Sequence, residues 1–448
     1  MAPSHLTPEQ IEANFRDLHP NFTRDEAHLE ASRCLFCHDA PCTRACPTHI
    51  DVPKFIREIL HGAPAAAAKT IAESNVFGGS CARACPTEVL CEGACVDRMR
   101  AGAPIGIGRL QRYATDHAMD RGLQFFEPGP ATGKKVAVVG SGPAGLACAH
   151  ELRRMGHGVT VFEARDLPGG LNTYGLAAYK VDTEFSLREI DTILAIGIEL
   201  KANSPVDGAR LRELLRTHDA VFLALGLGTT QALGLPGEDL PGVWEALQFI
   251  EQMHPGPLHA AEVGRDVVVI GCGNTAIDVA TASVRLGART VTVTYRRTEA
   301  EMSAYAYEYE LGKADGVRFE WNVQPVAFVA GADGRLGGVT FVRTRLEGSG
   351  RKAQLVQIPG SEFVMPCDMA VKALGQAHTF EMLAGIDGVA IRGGRIATDP
   401  GTHMTGHPGL FAGGDCTSEH MELVYAVQDG KMAARSIGQY LATREARP

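Results

Sequence analysis

KKVAVVGSGPAGLACAHELRRMGHGVTVFEARD, residues 134–166, decides the fold. A valine-rich run at 136–139 leads into Gly140-Ser141-Gly142-Pro143-Ala144-Gly145. A helical stretch follows, then a second apolar run that ends at Glu163. Strand, glycine turn, helix and strand make a βαβ unit, and such units build parallel sheets. Gly140 permits the tight turn, Gly142 lets backbone approach a pyrophosphate, and Gly145 lets helix and strand pack closely. The start of the helix, at Pro143 and Ala144, favours anionic phosphates. Glu163, about 20 residues on, is placed for a ribose hydroxyl.

A second copy stands at 265–297, RDVVVIGCGNTAIDVATASVRLGARTVTVTYRR. Gly271, Gly273, Asn274, Thr275 and Ala276 occupy the matching turn. Here the second strand ends in Arg296-Arg297 instead of an acid, and arginine there can hold a 2′-phosphate or stack on adenine. Two such units predict two nucleotide-binding folds, the second for a nicotinamide nucleotide. A late stretch, HPGLFAGGDCTSE at 407–419, places Gly414 and Asp415 at a strand end. Flavin enzymes with two dinucleotide folds carry Asp there beside the ribityl chain, so the first fold reads as an FAD site. The helix that follows turns its N-terminus toward the flavin.

The chain has 448 residues, a net charge of −9 and no long basic run, which argues against nucleic acid and anionic membranes as partners. Neither a secretory signal nor a membrane-length apolar run is evident, so a reducing, cytoplasmic setting is expected. Eight of the twelve cysteines fall between Cys34 and Cys95. In that setting, clustered thiols are metal ligands or redox groups before they are disulfides. The first group is Cys34, Cys37, Cys42 and Cys46, followed by Pro47; the second is Cys81, Cys85, Cys91 and Cys95. Close thiolates with a Cys-Pro step resemble ferredoxin runs. Structural zinc, with separated pairs and often histidine, is the alternative. Eight thiols suffice for two four-thiolate clusters, and spacing alone goes no further. Cys148, Cys272, Cys367 and Cys416 stand singly, and Cys148, Cys272 and Cys416 read as packed residues beside the loops.

The expected organisation is an α-helical iron–sulfur domain, 1–128, with two [4Fe-4S] clusters, followed by α/β structure. An FAD-binding domain is split into 129–259 and 373–448, and an NAD(P)-binding domain, 260–372, is inserted in it.

The eight-cysteine front followed by FAD and NAD(P) folds resembles the small subunit of glutamate synthase. It resembles still more the matching half of dihydropyrimidine dehydrogenase. GIGRLQRYATD at 106–116 separates the two. The dehydrogenase branch has Gln at this place as an unusual cluster ligand, where glutamate synthase subunits generally have an acid. Here it is Gln111. The resemblance implies one cluster on Cys34, Cys37, Cys42 and Cys95 and another on Cys46, Cys85, Cys91 and Gln111, with Cys81 a bystander. For FAD it implies Gly170, Leu171, Lys180, Val206 and the stretch from Asp415 to Leu423. For the nicotinamide nucleotide it implies Gly273–Ala276, Arg296, Arg297, Ala373, Leu374 and Gly375. NADP-using relatives carry a further Arg where this chain has Ser303. That departure favours NAD(H) over NADP(H).

The resemblance implies an electron-input subunit that oxidises NADH at FAD. Electrons then pass through the clusters to an FMN-containing PreA-like subunit that reduces uracil or thymine. No side chain of this chain is expected to be a catalytic acid or base. A ~250-residue FMN barrel has no room after the closing helix, so a hetero-oligomer, a heterotetramer, is expected. The alternatives are a glutamate synthase small subunit, an NADH:ferredoxin-type reductase, or a zinc-stabilised nucleotide-binding regulator.

Overall fold

Val136, Ala137 and Val138 are fully buried because the strand Lys135–Val139 lies in the middle of a parallel sheet. Its order is Leu410–Ala412, Ala220–Leu223, Lys135–Val139, Gly158–Phe162, Glu199–Lys201. The register runs from Lys135↔Gly158 to Val139↔Phe162 on one side and from Val136↔Ala220 to Val139↔Leu223 on the other. A strand covered on both faces reads as an unbroken apolar run, which is what VAVV is. One face packs Val136, Val138, Val159 and Val161 against Leu146, Leu152, Val427 and Ile437 of two helices, Pro143–Arg154 and Leu423–Glu445. The other packs Ala137, Val139 and Phe162 with Leu211, Leu214 and Leu410.

The structure is a computed structural model that describes residues 6–228, 230–348, 354–376 and 380–445. The flavin-type sheet belongs to a unit made of His19–Thr173, Lys180–Leu227 and His378–Pro448. The cysteine-rich front is part of the same unit. Its helices Arg24–Ser32, Val52–Leu60, Pro64–Ser74, Gly78–Ala84 and Ile107–Met119 surround Phe55, Ile56, Ile71 and Leu110, all fully buried. Thr23 starts the first of these with a reciprocal capping box to Glu26. Phe77 leaves this module and is fully buried among the valines and leucines of the flavin-type sheet.

The second unit comprises Gly228–Ala377 with Met1–Leu18 and Tyr174–Tyr179. Its parallel sheet runs Val243–Glu245, Met369–Lys372, Asp266–Ile270, Thr290–Tyr295, Arg318–Trp321. An antiparallel sheet of Val323–Ala330, Leu336–Glu347, Gln354–Gln357 and Phe363–Pro366 has no counterpart in the sequence reading. The sequence reading puts 1–128 in one domain and opens the inserted fold at 260. In the structure, the helix Pro8–Asn14 shares the core of the inserted unit, because Ile11 and Phe15 pack there with Tyr179, Phe249 and Ile250. That unit starts earlier because Val243–Glu245 pairs with Met369–Lys372. None of the helices among the described residues is long and apolar enough to cross a membrane.

Phe77 anchors the cysteine module on the flavin-type core. Phe77→Ala is expected to destabilise the unit by about 3–5 kcal/mol, read as a lowered denaturant midpoint in anaerobic unfolding.

Candidate functional site

The first glycine turn shows why each residue type is needed. Gly140 has φ +99° and a Cβ there would collide with the carbonyl of Ala224; one on Gly145 would collide with the carbonyl of Gly140. Gly142 faces open space at the start of the helix Pro143–Arg154. Glu163 is buried, and its carboxylate takes Ser141 N at 3.0 Å, Ser141 Oγ at 2.5 Å and Arg165 N at 2.8 Å. It therefore shapes the turn.

Gly170 lies against this turn: a Cβ on it would be 3.1 Å from Gly142 Cα. The next residue, Leu171, is 38% exposed, a large apolar surface beside a nucleotide cradle. Gly414 N donates to Asp429 Oδ2 at 3.1 Å, and a Cβ on Gly414 would be 2.9 Å from Ala144 Cβ. The GGD turn and the glycine turn thus meet at the N-terminus of one helix. Burial pushes the Asp415 carboxyl up to about 6, against the pull of Arg395, with Asp429 and Glu422 adding to the rise. Val206 packs against the cluster that holds Val139 and Phe162, the last residues of their strands. Lys180 precedes the helix Thr183–Leu194, which Asp182 caps by accepting from Phe185 N at 2.7 Å. Two buried side-chain oxygens in this unit, Asn172 Oδ1 and Gln428 Oε1, have no hydrogen-bond partner among the described residues. An open phosphate turn, an exposed apolar surface and orphaned acceptors together fit a flavin nucleotide.

Cys34, Cys37, Cys42 and Cys95 line one pocket with Val52, Pro53, Ile56, Ile105 and Ile107. Burial pushes the Cys42 thiol up to about 11, and neighbouring Cys34 and Cys95 push the same way. Cys34 is raised too, by burial first and by Cys95 and Cys37 next. Four half-buried thiols lining one pocket suit a metal centre that binds them as thiolates. A second group gathers around Cys85, whose thiol is raised by a hydrogen bond with Cys81, by burial, and by Cys81, Cys46 and Cys91. Cys91 is raised by burial, Glu92 and Cys46. The structure therefore places Cys81 among these thiols. Gln111, on the helix Ile107–Met119, is also buried, and its amide nitrogen donates to the carbonyl of Gly78 at 2.6 Å. All twelve cysteines are free. Cys148, Cys272, Cys367 and Cys416 are buried as single residues.

The helix Leu423–Glu445 borders both the cradle, where Asp429 accepts from Gly414 N, and the core of the cysteine module. Leu423 packs against the flavin-type core and the module's core alike. Val424 belongs to the module's core with Cys46 and Cys81, and Tyr425 packs on it. The charge of Cys46 is felt by both Tyr425 and Lys431. A polar seam lies nearby. Glu189 takes Gly79 N at 2.7 Å, Ser80 N at 3.1 Å and the Ser80 hydroxyl. Burial pushes Glu189 up to about 7 despite these donors. Sequence reasoning missed Glu189, Ser80, Asn172 and Tyr425. Glu189 did leave a signal: it lies on the buried face of its helix with Phe185, Ser186, Ile190 and Ile193.

In the other unit, Gly271 has φ +123° with a Cβ position that collides with the carbonyl of Ala373, repeating the first turn. Asn274 Oδ1 accepts from Tyr305 N at 2.9 Å at the head of the helix Asn274–Arg285, Thr275 is exposed and Ala276 is buried. Gly375 faces open space beyond Ala373 and Leu374. Arg296 is exposed at the strand end, and Arg297 has a buried Nε without a partner. Ser303 Oγ donates to the carbonyl of Cys272 at 3.3 Å, so it sits against the turn. An open turn beside an orphaned arginine donor fits an anionic nucleotide.

A thiol-lined helical module on two dinucleotide folds is the layout of an iron–sulfur flavoprotein that uses a nicotinamide nucleotide. Residues 11–123 match the family described as dihydropyrimidine dehydrogenase domain II, 4Fe-4S cluster, and residues 134–430 match pyridine nucleotide-disulphide oxidoreductase. The chain is 36% identical over 448 residues to the glutamate synthase [NADPH] small chain of Escherichia coli (strain K12), covering 95% of this chain and 94% of that one. It is 35% identical over 426 residues to the NAD-dependent dihydropyrimidine dehydrogenase subunit PreT of Salmonella typhimurium (strain LT2), covering 95% and 97%. FprA of Mycobacterium tuberculosis, solved in complex with NADPH, shares the fold with a TM-score of 0.57 at 18% identity, over 71% of this chain and 86% of that one. The chain belongs to the pyridine nucleotide-disulphide oxidoreductase family, in the group with an N-terminal 4Fe-4S domain that includes these two subunits.

The second thiol group holds five candidates for a four-ligand centre. With Gln111 as ligand, Cys85→Ser and Gln111→Leu are each expected to remove about half of the iron and sulfide, whereas Cys81→Ser keeps nearly all of it. Iron and sulfide analysis of anaerobically purified protein checks this; loss on Cys81→Ser with retention on Gln111→Leu gives the fourth position to Cys81.

Proposed function

We propose that the chain is the electron-input subunit of an NAD-dependent dihydropyrimidine dehydrogenase. It takes electrons from NADH and delivers them to an FMN-containing, PreA-like partner that reduces uracil or thymine to the 5,6-dihydropyrimidine. The observation that carries the electron-transfer reading is the last helix, Leu423–Glu445, which meets the GGD turn through Asp429 and the core of the cysteine module through Val424. The glutamate synthase relative is matched about as well as the PreT relative, so identity does not separate them. Gln111, where glutamate synthase subunits generally carry an acid, favours the pyrimidine branch.

FAD, when bound, accepts hydride and releases single electrons, and two [4Fe-4S] clusters carry them one at a time. The protein's own work is positioning. The Gly140–Gly145 turn and its helix N-terminus receive the pyrophosphate, and Glu163 holds the turn and faces a ribose. Asp415, on the GGD turn, receives the ribityl chain. Cys34, Cys37, Cys42 and Cys95 hold one cluster; Cys46, Cys85, Cys91 and Gln111 hold the other. Leu423 and Tyr425 exclude water between cradle and thiols. In the inserted unit, the Gly271–Ala276 turn, Ala373–Gly375 and the Arg296-Arg297 pair receive the nicotinamide nucleotide. Ser303, short and bonded to Cys272, leaves no third cation for a 2′-phosphate, which favours NADH.

Purified with its co-expressed flavoprotein partner, the chain is expected to support anaerobic NADH-dependent uracil reduction, and alone only NADH oxidation by artificial acceptors. Glutamine-dependent glutamate formation with a co-purifying partner, and no uracil turnover, would give the subunit to the other branch. Ser303→Arg is expected to raise the NADPH-over-NADH ratio of kcat/KM by about tenfold or more, since it adds a charge-assisted contact to the 2′-phosphate. An unchanged ratio would remove position 303 from cofactor choice.

A further inference from the structure

We propose that Asn172 contacts the flavin: its side-chain oxygen accepts a hydrogen bond from an N–H of the flavin ring, and Ser80 and Glu189 hold the amide in that orientation. The proposal deepens the flavin reading of the cradle and rests on it.

Asn172 is 3% exposed and is the second residue of the short helix Leu171–Tyr174, which follows directly on Gly170, the glycine that lies against Gly142. Both hydrogens of its amide nitrogen are used. Nδ2 donates to Ser80 Oγ at 3.1 Å and to Ser186 Oγ at 2.9 Å. The direction of the first bond is fixed by its neighbour. The Ser80 hydroxyl has one hydrogen, and it goes to the Glu189 carboxylate, an acceptor that also takes Gly79 N and Ser80 N. With Glu189 ionised Ser80 can only accept from Asn172, and Ser186 gives the same answer whatever the state of Glu189: Thr173 Oγ1 gives its hydrogen to the carbonyl of Pro168, so Ser186 donates to Thr173 Oγ1 and accepts from Asn172 Nδ2. This settles the orientation of the amide by chemistry. Oδ1 is left buried and without a hydrogen-bond partner among the described residues.

A buried carbonyl oxygen without a donor is costly, and such an atom beside a binding cradle marks a ligand group. What is missing is a donor. FAD's donors are its ribose and ribityl hydroxyls, which the cradle reading gives to Glu163 and Asp415, the adenine amino group, and the flavin ring's N3–H, joined by N5–H once reduced; the ring is the donor assigned to Asn172 because this residue stands on the side of the cradle that faces the thiol module. The neighbouring Leu171, 38% exposed, supplies apolar surface for a flat ring. Ser80 immediately precedes Cys81, so the same bond joins the cofactor side of the cradle to the thiol module.

The test uses full-length, iron-replete protein purified anaerobically, then deflavinated and titrated with FAD. The readouts are flavin fluorescence quenching, the visible flavin band and the flavin midpoint potential. Asn172→Leu is expected to raise the FAD dissociation constant by about tenfold or more and to shift both band and potential, with iron content unchanged. Ser80→Ala keeps the oxygen but releases the amide, and is expected to give a smaller shift of the same sign. Thr70→Val removes a buried hydrogen bond of similar kind, to Glu58 at 2.8 Å, and serves as the structural comparator. It is expected to lower stability while leaving FAD affinity, band and potential unchanged. If Asn172→Leu binds FAD within about twofold of the parent with the same band and potential, the proposal is overturned and Oδ1 is met by water. If Asn172→Leu does not fold, Ser80→Ala decides, and an unshifted band and potential there overturn it as well. Failure of the deflavinated parent itself to bind FAD would instead overturn the cradle reading beneath both.

Discussion

A buried carboxylate holds the cysteine module to the flavin-type fold. Glu189 is 5% exposed, and its helix otherwise presents Phe185, Ile190 and Ile193 to the interior. Alone, a carboxylate there would be strongly disfavoured. It is tolerated because Gly79 N, Ser80 N and the Ser80 hydroxyl all donate to it. Arg83, whose guanidinium lies 3.5 Å over the Phe185 ring, adds a favourable charge. A buried carboxylate met by three donors specifies one arrangement, because any slippage strands several buried polar groups together. Phe77 and Leu423 then add apolar contact on either side of it.

That arrangement matters because the two redox sites have to be neighbours. Single-electron carriage needs thiols and ring close together with little water between them. The chain meets this with the first turn of its last helix. Leu423 belongs to both cores, Val424 lies among the thiols, and Tyr425 feels the charge of Cys46. The same helix packs on Pro143–Arg154, whose N-terminus opens from the glycine turn. One long helix thus touches the cradle and the cysteine module.

Much of this was legible in the sequence. Both βαβ units, the GGD turn and the clustered thiols are local patterns set by short-range backbone and ligand chemistry. Gly140 and Gly145 have no room for a side chain, so the pattern forces the residue. The inserted unit's antiparallel sheet was not legible, since its strands Val323–Ala330 and Leu336–Glu347 are half-exposed and carry no motif. The packing of Ile11 and Phe15 on Phe249 was also hidden, because it joins residues more than two hundred positions apart. The resemblance, which assigned seven thiols and Gln111, put Cys34, Cys37, Cys42 and Cys95 together, and they line one pocket. The position of Cys81 beside Cys85 came only from the fold. Asn172, Ser80 and Glu189 were invisible for the same reason: their meaning lies in one another, and they are far apart in the chain.

The central claim is that electrons entering from a nicotinamide nucleotide reach iron held by the front cysteines. An anaerobic NADH titration, followed together by flavin absorbance and low-temperature electron paramagnetic resonance, tests it most directly. The account predicts bleaching of the flavin band accompanied by a growing signal of reduced [4Fe-4S] centres, with about eight irons per flavin. Bleaching without any paramagnetic iron–sulfur signal, or zinc in place of iron at the cysteines, would contradict it.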